Sequence, residues 1–286
     1  MIKMLNMIKM IRNLNMIELI KKSSAWTLGI INLIFTFVPE SFFEKFKLIP
    51  SASDELNIVL SRVLAFILVL VVVLIIMTLY LSYQNSVQIK GHNYIIQIEY
   101  GDIFQMSSCK KVIAFDECFT TSVGSAPGDV KPTSVCGQYL NSHPIQDMQG
   151  LINATGLKPA KRKSDYKKKV RYESGRLVPN GEYLLMALAK LDEKGLGGLT
   201  RDQFLDALST LWEELNTHCA QEDVCITILG SGITRMKGES LTQQQLLDII
   251  IASYQLSSHK IKSPYKLRIV CQKRDDFSLN KISKNL

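Results

Sequence analysis

The stretch Val224-Cys225-Ile226-Thr227-Ile228-Leu229-Gly230-Ser231-Gly232-Ile233-Thr234-Arg235 sets an apolar run directly ahead of a Gly-Ser-Gly turn. A run this short, apolar at nearly every position, reads as a strand buried on both faces of a sheet. Glycines at its end tolerate positive φ and let backbone N–H groups approach a phosphate with no Cβ in the way. A helical pattern follows over Leu241 to Leu256 (LTQQQLLDIIIASYQL), where Thr242 precedes Gln245 by three residues as a capping box. Strand, glycine turn and helix in this order make either a phosphate-binding unit or an ordinary tight connection, and the rest of the chain has to decide between them.

Outward from that stretch, Tyr94 to Glu99, Val112 to Phe115, Tyr183 to Leu191 and Leu267 to Cys271 are further short apolar runs that read as strands. Leu199 to Thr217 has Phe204, Leu208, Leu211, Trp212 and Leu215 on one helical face, with Thr200 placed to cap it. The alternation of strands and helices predicts an α/β domain whose partly parallel sheet is covered on both faces. Ser122 to Pro132 (SVGSAPGDVKP) is a long loop by composition. Lys161 to Arg171 (KRKSDYKKKVR) carries eight charges in eleven residues and reads as a solvated loop or as a contact for anionic lipid. With no helix-turn-helix pattern or aromatic-interleaved strand, nucleic acid is not an expected partner. The six cysteines lie between Cys109 and Cys271 without a CxxC pair, and the histidines are scattered, so neither disulfides nor a metal site is expected.

The N-terminal part has a different solvent. Val63 to Tyr83 is 21 residues without a charge, and as a helix it would reach about 31 Å, the thickness of a bilayer core. Ser23 to Val38 is a shorter apolar run of 16 residues, and reads as a first span, with a signal sequence or an interfacial helix as its rivals. Met1 to Lys22 carries five basic residues against Glu18, whereas the stretch from Pro39 to Ser61 is rich in acids. The positive-inside rule then puts both termini in the cytoplasm and the connecting loop outside. The expected organisation is a basic segment at 1–22, a transmembrane hairpin at 23–83 with spans near 23–38 and 63–83, a linker at 84–93 and a soluble domain at 94–286.

Tyr94 to Phe104 (YIIQIEYGDIF), VIAFDECFTT from Val112, KPTSVCGQYL from Lys131 and ILGSGITRM from Ile228 together resemble the macro domain, a three-layer α/β/α fold that binds ADP-ribose. In order of parts, the chain resembles the membrane-anchored bacterial Thoeris antiphage effectors, in which two transmembrane helices precede a divergent macro domain. The resemblance implies that Asp102 and Ile103 hold adenine. It implies one phosphate loop of Phe119, Thr120, Thr121, Ser122, Val123 and Gly124, and a second of Gly230, Ser231, Gly232, Ile233, Thr234 and Arg235. Macro-type hydrolases place asparagines and then a glycine run after the strand that here leads into Asp116-Glu117-Cys118, and both are missing. No catalytic residue or cofactor is therefore expected; Asp116 and Glu117 are either site residues or a polar strand end. The resemblance implies an effector in the bacterial inner membrane, activated by an ADP-ribose-derived nucleotide that a partner TIR enzyme makes from NAD, which then assembles into homo-oligomers and disrupts the bilayer, causing cell death. A membrane-anchored ADP-ribosyl hydrolase and an anchor that recruits a protein partner are the alternatives.

The charge asymmetry has a direct test. Reporter fusions are expected to place Glu44 outside the membrane and the C-terminus inside, and a cytoplasmic Glu44 would overturn the hairpin topology.

Overall fold

The structure is a computed structural model that describes residues 16–51, 53–219, 221–232, 235–236, 241–274 and 277–282. The chain divides into two compact units, Met1–Gln84 and Asn85–Leu286.

In the first unit, helices α1 (Met16–Phe37), α2 (Glu40–Glu44) and α3 (Asp54–Ser82) follow one another. Ser53 caps α3 by accepting from the Leu56 N–H, and Asp54 and Glu55 place negative charge in its first turn. Among the described residues, Asp54–Leu81 is the helix long and apolar enough to cross a membrane by length and composition. Val63, Ile67, Val71, Ile75 and Leu79 lie exposed along it. The shorter expected span falls on α1, which at 22 residues is long enough but, with Lys21, Lys22 and Asn32 in its sequence, is not among the helices apolar enough to cross a membrane. Leu19 of α1 packs with Leu81, Leu74 and Met77 of α3. Arg62 pairs with Glu40 at 2.9 Å and stands over the rings of Phe35 and Phe43, so its head group is engaged within the helical unit. Met1 to Asn15, the greater part of the expected basic segment, lie outside the described residues.

The second unit is built on a sheet of nine described strands in the order β1-β2-β9-β7-β3-β5-β6-β8, with β4 paired to β5. The strands are β1 (Ser86–Gly91), β2 (Tyr94–Tyr100), β3 (Cys109–Asp116), β4 (Leu177–Asn180), β5 (Tyr183–Leu191), β6 (Gly197–Leu199), β7 (Asp223–Thr227), β8 (Arg235–Met236) and β9 (Lys266–Cys271). β2, β9, β7, β3 and β5 pair in parallel. The expected linker at 84–93 is a correction: β1 forms an antiparallel hairpin with β2, from Ser86 opposite Glu99 to Gly91 opposite Tyr94. Val87 and Ile89 alternate with Ser86, Gln88 and Lys90, the period-two pattern of a half-buried edge strand, and Asn93 takes φ 61° in the turn.

Alternation along each central strand feeds two cores. Val112, Leu184, Met186, Val224, Ile226, Leu267 and Ile269 join one, packed with α6 (Arg201–His218) and α7 (Gln243–Leu256). Ile113, Leu185, Ala187, Cys225 and Val270 join the other, packed with α4 (Val135–Ser142) and α5 (Met148–Ala154). Helices on both faces of a mainly parallel sheet give the expected three layers. Thr200 and Gln203 close a capping box on α6, and Thr242 and Gln245 close another on α7. The two helices are also joined by a hydrogen bond of 2.8 Å from the Trp212 indole N–H to the Ser253 hydroxyl.

Trp212 is among the largest fully buried side chains. Trp212→Ala is expected to lower the stability of the second unit by about 3–5 kcal/mol, read by denaturant unfolding of the full chain in detergent; a loss below about 1 kcal/mol would contradict this packing.

Candidate ligand-binding cavity

Because the central strands are parallel, their C-terminal ends meet at one rim, where α/β sheets commonly bind ligands. A cavity of about 500 Å³ lies along that rim, within the size range of small-molecule sites. At one end are Gly101, Asp102 and Ile103, which follow β2. Ile103 is buried, while the exposed Asp102 caps the 3-10 turn Ile103–Gln105 by accepting from the Phe104 N–H at 3.0 Å. Two strands further along the rim, Gly230, Ser231 and Gly232 extend β7 into the cavity wall. Gly230 has φ 78°, which an L side chain would take only with strain. Ser231 donates to the Ile228 carbonyl at 2.6 Å, so the turn is closed by its own hydroxyl.

Asp116, at the end of β3, also lines the cavity. Its carboxylate accepts from the N–H groups of Cys118 at 2.8 Å and Thr120 at 3.3 Å. Burial raises its pKa, and these hydrogen bonds pull in the opposite direction. Glu117 points elsewhere. It is 1% exposed and is held by the Ser164 hydroxyl, by Arg171 Nη1 at 3.2 Å and by the Leu191 N–H at 3.3 Å. The basic run is therefore an anchored loop: Ser164 and Tyr166 are buried, and Lys161, Arg162, Lys163, Lys167, Lys168 and Lys169 face outward. The Tyr166 hydroxyl donates to the Pro127 carbonyl. Its ring leaves no room for a side chain at the cavity-lining Gly128, where a Cβ would come within 2.3 Å of it.

The expected first phosphate loop is placed differently. Phe119, Thr120, Thr121, Ser122, Val123 and Gly124 are not among the lining residues. Phe119 turns the chain with φ 52° and packs its buried ring against Phe115 and Tyr172. Ser122 donates to Asp129 at 3.0 Å, and Gly124 donates to the Val130 carbonyl at 3.0 Å. That arrangement leaves the return arm of the loop to line the site, through Gly128, Asp129, Val130 and Lys131, and then Thr133, Ser134 and Val135 at the start of α4. Ser134 caps α4 by accepting from the Gly137 N–H at 3.0 Å. Ser134, directly ahead of the apolar Val135, is an N-cap signal that could have located this wall from sequence. Sequence reasoning also missed Gln272 and Arg274, beyond β9, and Gln243, at the start of α7, all lining residues. Ile233 and Thr234 lie outside the described residues, and Arg235 belongs to β8, opposite Gly198.

Chemically the cavity offers a carboxylate acceptor at one end and glycine-flanked backbone at the other. Among the described residues its lining thiol is Cys136, pushed well above the ordinary thiol pKa by burial first and then by Asp116, and so a poor nucleophile.

The family description "Thoeris protein ThsA, Macro domain" matches residues 96–272, from β2 to just past β9. The Thoeris protein ThsA of Bacillus amyloliquefaciens (strain Y2) is 29% identical over 211 residues, covering 70% of each chain. Among solved structures, the macrodomain of Thermus aquaticus DarG aligns with TM-score 0.37 and 10% identity, over 62% of this chain and 97% of its own. The Oceanobacillus iheyensis macrodomain with MES bound aligns with TM-score 0.41 and 10% identity, over 70% of this chain and 95% of its own. On the family match, which spans the parallel sheet and both ends of its cavity, the chain belongs to the Thoeris ThsA macro-domain family.

Proposed function

We propose that this chain is a membrane-anchored effector of antiphage defence whose cavity senses an ADP-ribose-derived nucleotide. The observation that carries the reading is the rim cavity itself, with Asp102 at one end and Gly230 to Gly232 two strands away. A carboxylate there can accept from an adenine amino group, and backbone N–H groups beside glycines can hold a diphosphate. Membership of a macro-domain family supports the same class of ligand. In this proposal a TIR enzyme supplies the nucleotide, and α1 and α3 form the hairpin that holds the protein in the bacterial inner membrane. Binding drives assembly into homo-oligomers that disrupt the bilayer.

Sensing is favoured over hydrolysis by the commitments of the acidic residues. Asp116 accepts two backbone hydrogen bonds, and the buried Glu117 carboxylate is locked into an ion pair with Arg171. Glu117 is therefore not a free base, and Asp116 commits Oδ1 to its own turn. Ligand-driven switching needs only that the nucleotide bind the assembled arrangement more tightly than the resting one, and a thousandfold preference corresponds to about 4 kcal/mol.

With the full chain in detergent, calorimetry is expected to detect ADP-ribose binding, and Asp102→Ala to weaken it by roughly 1.5–3 kcal/mol through loss of a charge-assisted hydrogen bond. Gly232→Glu should be more severe, since a Cβ there meets nothing within 4 Å and the added carboxylate would reach into the phosphate end. Equal affinity in Asp102→Ala would remove the adenine assignment.

Val71→Arg puts a charge in the middle of α3, where membrane insertion scales give a penalty of about 2.5–3.5 kcal/mol. The variant is expected to keep its nucleotide affinity and to lose ligand-dependent leakage of dye from vesicles. Full cellular toxicity from a chain lacking residues 1–83 would refute the effector reading.

A further inference from the structure

Three consecutive glutamines open α7, and their side chains are committed differently. Gln245 closes the capping box with Thr242, accepting from the Thr242 N–H at 2.9 Å. Gln244 donates to Asp248 at 3.4 Å, and its own buried Oε1 has no partner among the described residues, but it does not line the cavity. Gln243 lines the cavity and is 7% exposed, yet its Oε1 is buried without a hydrogen-bond partner among the described residues. Burying an amide oxygen with no donor destabilises a folded chain, so such an atom calls for an explanation. Helix capping is not one, because Thr242 and Gln245 already supply it. Packing is not one either, because a leucine would fill similar space with no polar atom to desolvate.

The position supplies a reason. The first turn of α7 lies against the glycine turn: a Cβ on Gly230 would meet Leu246 at 3.6 Å. Gln243 is thus at the β7 end of the cavity, two strands from Asp102, a separation of about 10 Å along the rim. A nucleotide whose base is at Asp102 would present its sugar and phosphates toward this end.

We propose that Gln243 is a specificity-determining residue, whose carboxamide is completed by the sugar-phosphate portion of a bound nucleotide. The assignment rests on the nucleotide-sensing reading above. Rotation about the last side-chain bond exchanges donor and acceptor, so the group can offer N–H to a phosphate oxygen or C=O to a ribose hydroxyl. An apolar residue could do neither.

The test uses the full chain in detergent, ADP-ribose as the probe and two readouts. Gln243→Leu should weaken ADP-ribose binding about tenfold by calorimetry, while the melting temperature without ligand stays the same or rises. That split separates ligand recognition from a structural role, which would lower both. Gln243→Glu keeps the shape but exchanges the N–H donors for a carboxylate that repels phosphate, so its loss should be at least as large. Unchanged affinity in either variant, or a lowered melting temperature in Gln243→Leu, overturns the assignment while leaving the nucleotide reading in place. An unsubstituted protein that does not bind ADP-ribose overturns both.

Discussion

Parallel pairing of β2, β9, β7, β3 and β5 is the constraint on which the rest of the second unit depends. Parallel neighbours cannot be joined by tight hairpins, so the chain must cross back over a face of the sheet, and the crossings become the covering layers. The same geometry gathers the strand ends at one rim. Glycines, caps and acidic side chains that are far apart in sequence are brought together there because each follows a strand. The cavity is thus a consequence of sheet direction, and individual residues decide what it can hold.

Local rules made the central elements legible. β5 is an apolar run bounded by turn residues, and α6 and α7 announce themselves by helical period and capping boxes. β1 was harder to read, because Val87 and Ile89 are its only buried positions and the polar residues between them resemble a linker. What makes it a strand is its register with β2, a tertiary fact. Both Asp102, singled out by the family resemblance, and the Gly230 turn, singled out by its glycines after a strong strand, line the cavity. The wall from Gly128 to Val135 was not legible, since the hydrogen bonds of Ser122 and Gly124 to their own loop decide which arm faces inward. Gln243 was invisible for a related reason: in sequence it is one of three glutamines, and only the folded chain shows that it is the one of the three that lines the cavity.

The acidic pair at the end of β3 shows how adjacent residues divide their duties. Asp116 faces the cavity and folds its own turn around its carboxylate. Glu117 faces the interior and holds Ser164 and Arg171, which anchors the basic loop. Through Tyr166 that loop is packed against Gly128 in the cavity wall. The exposed lysines are therefore displayed by a segment in mechanical contact with the site.

Strand order also has a consequence in time. β2 is made early, but its parallel neighbour in the sheet is β9, and Arg268 Nε reaches Glu99 across 169 residues of sequence. At a synthesis rate of about 5–20 residues per second, β2 waits on the order of ten seconds for that partner. Until then the only neighbour available to it is β1, through a local hairpin. The nascent domain thus spends most of its synthesis with one side of β2 unpaired, a state in which unpaired strand edges invite association with other chains. Closure of the sheet, and with it formation of the cavity, is an event of the last stage of translation.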